Sequence, residues 1–173
     1  AALDALDAFV EERLVHQLGA EDVSAEIVAA ALGAHVGGPA TAADWARGLS
    51  GVRRSADFAQ ATTAYNRLVK LGGEGPTDAP SASDPDEDAF SAAVDAAATA
   101  IASAREAADV AAAVSAAAEL ARAVDIFLSD VMVNADDADV RARRLALVRR
   151  AAGCLRGAAD FSRVRDNEAP ASA

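Results

Sequence analysis

Residues 86–133 read DEDAFSAAVDAAATAIASAREAADVAAAVSAAAELARAVDIFLSDVMV, and 19 of these 48 positions are Ala. Ala has the highest intrinsic helix propensity, so the segment predicts two long helices rather than strands. The first runs from about Asp86 to Ala108, with Phe90, Val94 and Ile101 as its larger side chains. The second runs from about Asp109 to Val133 and carries Val110, Val114, Leu120, Val124, Phe127, Leu128 and Val131. Small Ala faces let helix axes approach closely, so the two are expected to pack as a hairpin.

The same logic extends to the whole chain. Of 173 residues, 53% are apolar but only 4% aromatic, and 50 are Ala. Val, Ile, Thr and the aromatics are too sparse to build a sheet. A β sandwich, a barrel and a doubly wound α/β fold are excluded, leaving an all-α bundle of six or seven helices. The charge-free run Val110 to Ala118 falls far short of the roughly 20 apolar residues of a membrane span. A single Cys makes no internal disulfide and no metal cluster, which fits a reducing compartment such as the cytoplasm. The chain starts on Ala and enters a helical pattern at once, as a piece of a longer protein would.

Four shorter helices precede the hairpin. Leu3, Leu6, Phe9, Val10, Leu14 and Leu18 recur at threes and fours from Leu3 to Leu18, which is one apolar stripe. A second helix follows Asp22 and stops at Gly33. Thr41, with Asp44 three residues on, suggests a capping box opening a third helix to about Val52. A fourth starts near Ser55 or Asp57 and ends at Gly72-Gly73. The domain therefore divides into N-terminal helices (1–71), a flexible acidic Pro/Gly linker (72–85), the hairpin with a final Arg-rich helix (86–165) and a disordered tail (166–173).

Charge comes in blocks. The net charge is −11, but residues 74–139 hold 15 acids against Arg105 and Arg122, whereas residues 140–165 hold eight Arg against Asp160 alone. On the last helix, from about Ala138 to Ala158, Val140, Leu147, Val148, Ala151, Cys154 and Leu155 fill one arc. Arg141, Arg149 and Arg156 share the opposing stripe, and Arg143 with Arg150 lies on the far flank. Arg144 falls inside the apolar arc and needs a carboxylate, for which Asp125, Asp130 or Asp160 is expected. Guanidinium forks at helical spacing match phosphate, so the stripe is either a phosphate-binding face or a solvated face neutralised by the acidic helices.

Catalytic chemistry finds no foothold. The Gly pairs at 37–38 and 72–73 lack the Lys-Ser/Thr of a phosphate loop. His16 and His35 are isolated, Cys154 sits on the apolar arc, and Glu11-Glu12 and Asp136-Asp137 suit a solvated face and a helix cap. Trp45 and Tyr65 are expected in the core. No nucleophile, base and orienting group come together; the fragment itself is expected to be non-catalytic, with no catalytic or metal residues.

Residues 124–147, VDIFLSDVMVNADDADVRARRLAL, closely resemble the C-terminal end of the β subunit of bacterial glycyl-tRNA synthetases, as does Asp160-Phe161-Ser162. Phe9-Val-Glu-Glu-Arg13-Leu14 and Ala64-Tyr65-Asn66-Arg67-Leu68 resemble further elements of that family in the same order. The resemblance implies a helical anticodon-binding-type domain related to that of the class I arginyl enzymes. It implies a parent that joins glycine to its tRNA with ATP and Mg²⁺ bound elsewhere. The implied partners are glycine tRNA, the α subunit or α-like part, and the rest of the β subunit. RNA is then expected at Arg141, Arg143, Arg149, Arg150 and Arg156, helped by Arg53, Arg54, Arg67 and Lys70. The alternative is a structural, protein-interaction module of the synthetase without RNA contact.

Overall fold

The Ala-rich hairpin organises the molecule. In the computed structural model, which describes residues 2–78 and 84–165, α5 spans Pro85–Glu106 and α6 spans Val110–Asp130. Ala108 turns the chain at φ 53°, and Asp109 accepts a hydrogen bond from the Ala112 N–H to cap α6. This left-handed residue after a helix end is ordinarily Gly; Ala here carries a small strain. Ala113, Ala117 and Ala121 are fully buried along α6, so methyl groups replace bulk where the helices meet. Phe90 of α5 and Phe127 of α6 stack face to face at 4.2 Å between ring centroids.

Around the hairpin lie α1 (Ala2–Gly19), α2 (Ala25–Gly33), α3 (Pro39–Val52), α4 (Ala56–Gly72) and α7 (Ala138–Arg156), closed by a 3-10 turn over Phe161–Arg163. No strand occurs among the described residues. Ser24 and Ser55 cap α2 and α4 through their hydroxyls. α3 departs from the sequence expectation: it begins at Pro39 behind Gly38 with no side-chain cap. Proline at the first helical position lacks only an N–H that has no partner there anyway, so the helix starts before Thr41.

All seven helices and the closing turn contribute to one core. Phe161 is fully buried and meets Phe58 edge to face at 5.4 Å. Trp45 is buried and donates its indole N–H to the Ala158 carbonyl at 2.8 Å, and the Asp160 N–H donates to the Ala30 carbonyl at 2.9 Å. A Cβ on Gly33 would lie 2.5 Å from the Asp160 Cβ, so glycine is required where α2 meets this turn. α6 ends at Asp130, three residues earlier than its periodicity suggested. Val131 and Val133 are buried while Met132 is 75% exposed; this alternation is extended, with the two-residue period of a strand.

Residues 79–83 of the expected linker and the 166–173 tail lie outside the described residues, as do the side chains of Leu3 and Leu6 in the α1 stripe.

Candidate nucleic-acid interface

Asp137 sets the start of α7 by accepting hydrogen bonds from the Asp139 and Val140 N–H groups at 2.9 Å. These backbone donors hold its carboxyl below the usual range. The helix then presents its arginines in three ways.

The first group meets carboxylates of α5 and its cap. Arg143 and Arg144 each donate through Nε to the two oxygens of Glu87, at 2.6 and 2.7 Å. Arg144 also reaches Asp84 at 3.2 Å and the Met132 carbonyl at 2.9 Å. Glu87 is fully buried. Burial pushes its carboxyl up, but the hydrogen bonds from Arg143 and Arg144 outweigh this and hold it below the ordinary carboxylate value. The partner of Arg144 is thus Glu87 with Asp84, not Asp125, Asp130 or Asp160. The helical wheel placed Arg144 correctly on the inner arc, but spacing along one helix cannot say which neighbouring helix faces it. Arg150 pairs with Asp95 and Ser91 of α5.

Arg156 forms a second class. It donates to the Gly33 carbonyl at 3.2 Å and to Asp160 at 2.9 Å. Asp160 also accepts from the Ser162 hydroxyl and from Tyr65, and burial together with Asp160 raises the Tyr65 phenol. Arg141 and Arg149 form the third. Arg141 donates to the Ala135 and Asp136 carbonyls at 2.6 and 3.2 Å; Arg149 donates to those of Gly72 and Pro76 at 2.8 and 3.2 Å. A carbonyl partner fixes a guanidinium without cancelling its charge, whereas a carboxylate partner does both.

Elsewhere, Arg53 is held by Ser24 and Glu26 and Arg67 by Asp125. Arg54 and Lys70 are exposed and make no hydrogen bond or ion pair among the described residues. His16 and His35 are both exposed. Burial pushes the Cys154 thiol up to about 11, which leaves little thiolate near neutral pH. Among the described residues no group of three or more His, Cys, Asp or Glu could hold a metal ion.

The structure also shows a groove that the sequence did not single out. About 560 Å³ of space lies between the end of α4 (Arg67, Lys70, Leu71), Leu128 of α6 and residues 131–134. The hint in the sequence was the Val-Met-Val alternation, which is hidden when the segment is counted as helix. Arg149 holds the Gly72 carbonyl, next to Leu71, and Arg141 holds the Ala135 carbonyl, next to Asn134, so two further unneutralised cations bond to backbone adjoining its lining.

These features describe a helical domain with an acidic hairpin, and with uncancelled cations on α7, just before α4 and in the last turn of α4. Residues 58–161, α4 through the closing turn, match the family described as DALR anticodon binding domain; the chain belongs to that family. It is 35% identical over 119 residues to the glycine--tRNA ligase beta subunit of Geobacter sp. (strain M21), covering 67% of this chain and 17% of that protein. It is 53% identical over 45 residues to the glycine--tRNA ligase beta subunit of Pseudomonas aeruginosa (strain LESB58), covering 26% of this chain and 7% of the relative. The chain thus spans under a fifth of the length of these relatives. No helix among the described residues is long and apolar enough to cross a membrane.

Proposed function

We propose that this chain is the anticodon-binding domain of a glycine–tRNA ligase β subunit and that it holds glycine tRNA against the α4–α7 side. The observation that carries this reading is the family match over residues 58–161, the unit that carries the groove and every α7 arginine. The parent enzyme joins glycine to tRNA with ATP and Mg²⁺, and that chemistry belongs to the α subunit or α-like part in the cytoplasm. This domain contributes recognition.

Electrostatics selects the side. Asp86, Asp88, Glu106 and Glu119 lie exposed on α5 and α6, with Asp109 at the cap between them, a field that repels phosphate and faces protein instead. Arg141, Arg149, Arg54 and Lys70 keep uncancelled charge, so they supply most of the attraction. Arg53, Arg67, Arg143, Arg150 and Arg156 are partly neutralised and supply less.

Filter binding of glycine tRNA and an anticodon-swapped variant to this chain, from about 50 to 200 mM salt, tests the reading. Tight, steeply salt-dependent binding with preference for the glycine anticodon is expected. Replacing Arg141 and Arg149 together with Gln should lower the log–log slope by about 1.4–1.8 if each meets one phosphate. Absence of retention at about 50 mM salt would make the domain a protein-interaction module.

A further inference from the structure

We propose that the groove between the end of α4 and residues 131–134 seats one unstacked nucleobase of an RNA loop, with Asn134 reading its polar edge. The inference rests on the tRNA-binding function above and assigns it a specific contact.

Size and chemistry agree. The groove is an open surface hollow of about 560 Å³, which a flat base can enter from solvent. Its walls are aliphatic, from Leu71, Leu128, Val131 and Val133. Met132 stands 75% exposed over them, and a thioether packs well against an aromatic ring. Asn134 is exposed and makes no hydrogen bond among the described residues. Its amide offers one acceptor and a pair of donors, the combination that pairs with the edge of a base.

Cations sit where a backbone would run. Lys70 is unpartnered at one rim. Arg67 is paired with Asp125, but both side chains are about half exposed, at 48% and 54%, and such pairs are weak enough for phosphate to displace. Arg141 and Arg149 bond to carbonyls that adjoin the groove's lining.

The reading segment is also held still. Arg144 grips the Met132 carbonyl, Arg141 grips that of Ala135, and the Val131 N–H donates to the Phe127 carbonyl at 2.9 Å. With Val131 and Val133 buried, Met132 and Asn134 project from a backbone fixed on both sides. Fixing a recognition segment before binding reduces the ordering cost of the complex. Two α7 arginines therefore position the site rather than touch RNA bases.

The test uses stem–loops carrying the glycine anticodon and each single-base swap, with Asn134→Ala and Met132→Ala variants of this chain. Asn134→Ala should cut discrimination at one loop position about tenfold and leave the other positions and the melting temperature unchanged. Met132→Ala should weaken all stem–loops about two- to tenfold, and removing the seated base from the RNA should erase the difference between Met132→Ala and the parent chain. Unchanged affinities in both variants, or an Asn134→Ala loss equal for every sequence, would overturn the groove as a base site while the tRNA function stood. A parent chain that binds no stem–loop would defeat both.

Discussion

Compare the arginine row of α7 with the last turn of α4. The row has six guanidiniums between Arg141 and Arg156, and each is held by another part of the protein. The end of α4 offers only Arg67 and Lys70, yet Lys70 has no partner there. A five-donor planar fork is easily captured by carbonyls and carboxylates; a flexible ammonium on a helix end is not. Arg143, Arg144, Arg150 and Arg156, each paired with a carboxylate, therefore contribute mainly to architecture, whereas Arg141, Arg149 and Lys70 keep their charge available. Charge counted along a helix measures opportunity, not availability.

Glu87→Ala gives the largest expected effect. It leaves Arg143 and Arg144, 12% and 15% exposed, without their shared carboxylate, and should cost about 3–5 kcal/mol in chemical denaturation. A loss under about 1 kcal/mol would mean the row is not architectural. The same carboxylate fixes a pH window. Its folded pKa lies below the ordinary 4.5, so its stabilisation is complete above that value and fades as pH falls through the lower folded one. The stability gap between parent and Glu87→Gln should accordingly narrow below about pH 4.5 and hold constant from pH 6 to 8.

Arg149→Ala should come next, at about 1.5–3 kcal/mol, because it frees the Gly72 and Pro76 carbonyls of a charged donor. Its hydrogen-exchange signature should be faster exchange confined to residues 72–78. Lys70→Gln sits at the other end of the scale. It should move stability by no more than about 0.5 kcal/mol, yet lower the salt slope of tRNA binding by about 0.7–0.9. The reverse outcome, a large stability loss with an unchanged slope, would exchange the roles assigned to the two regions.

Much of the fold was legible from local chemistry. Ala-rich periodicity gave α5 and α6, Ser55 or Asp57 is expected to open α4 and Ser55 does, and Asp136-Asp137 gave the cap of α7. Where such reading failed, a neighbour decided the matter. α6 stops at Asp130 because Val131 and Val133 find burial on one side of an extended segment while Met132 faces out. Arg144 finds Glu87 because α5 lies across the start of α7. The candidate groove was harder still, since its walls come from α4, α6 and the segment joining α6 to α7.

The amino-acid order alone thus determined that this protein is helical, how its charge is blocked, and the Asp160-Phe161-Ser162 signature of its ancestry, because propensity, capping and motif are local properties of the chain. Only the tertiary structure decided which cations stay uncancelled and where an apolar hollow meets them. Both depend on which residues distant in sequence arrive side by side, and no periodicity within one helix encodes that.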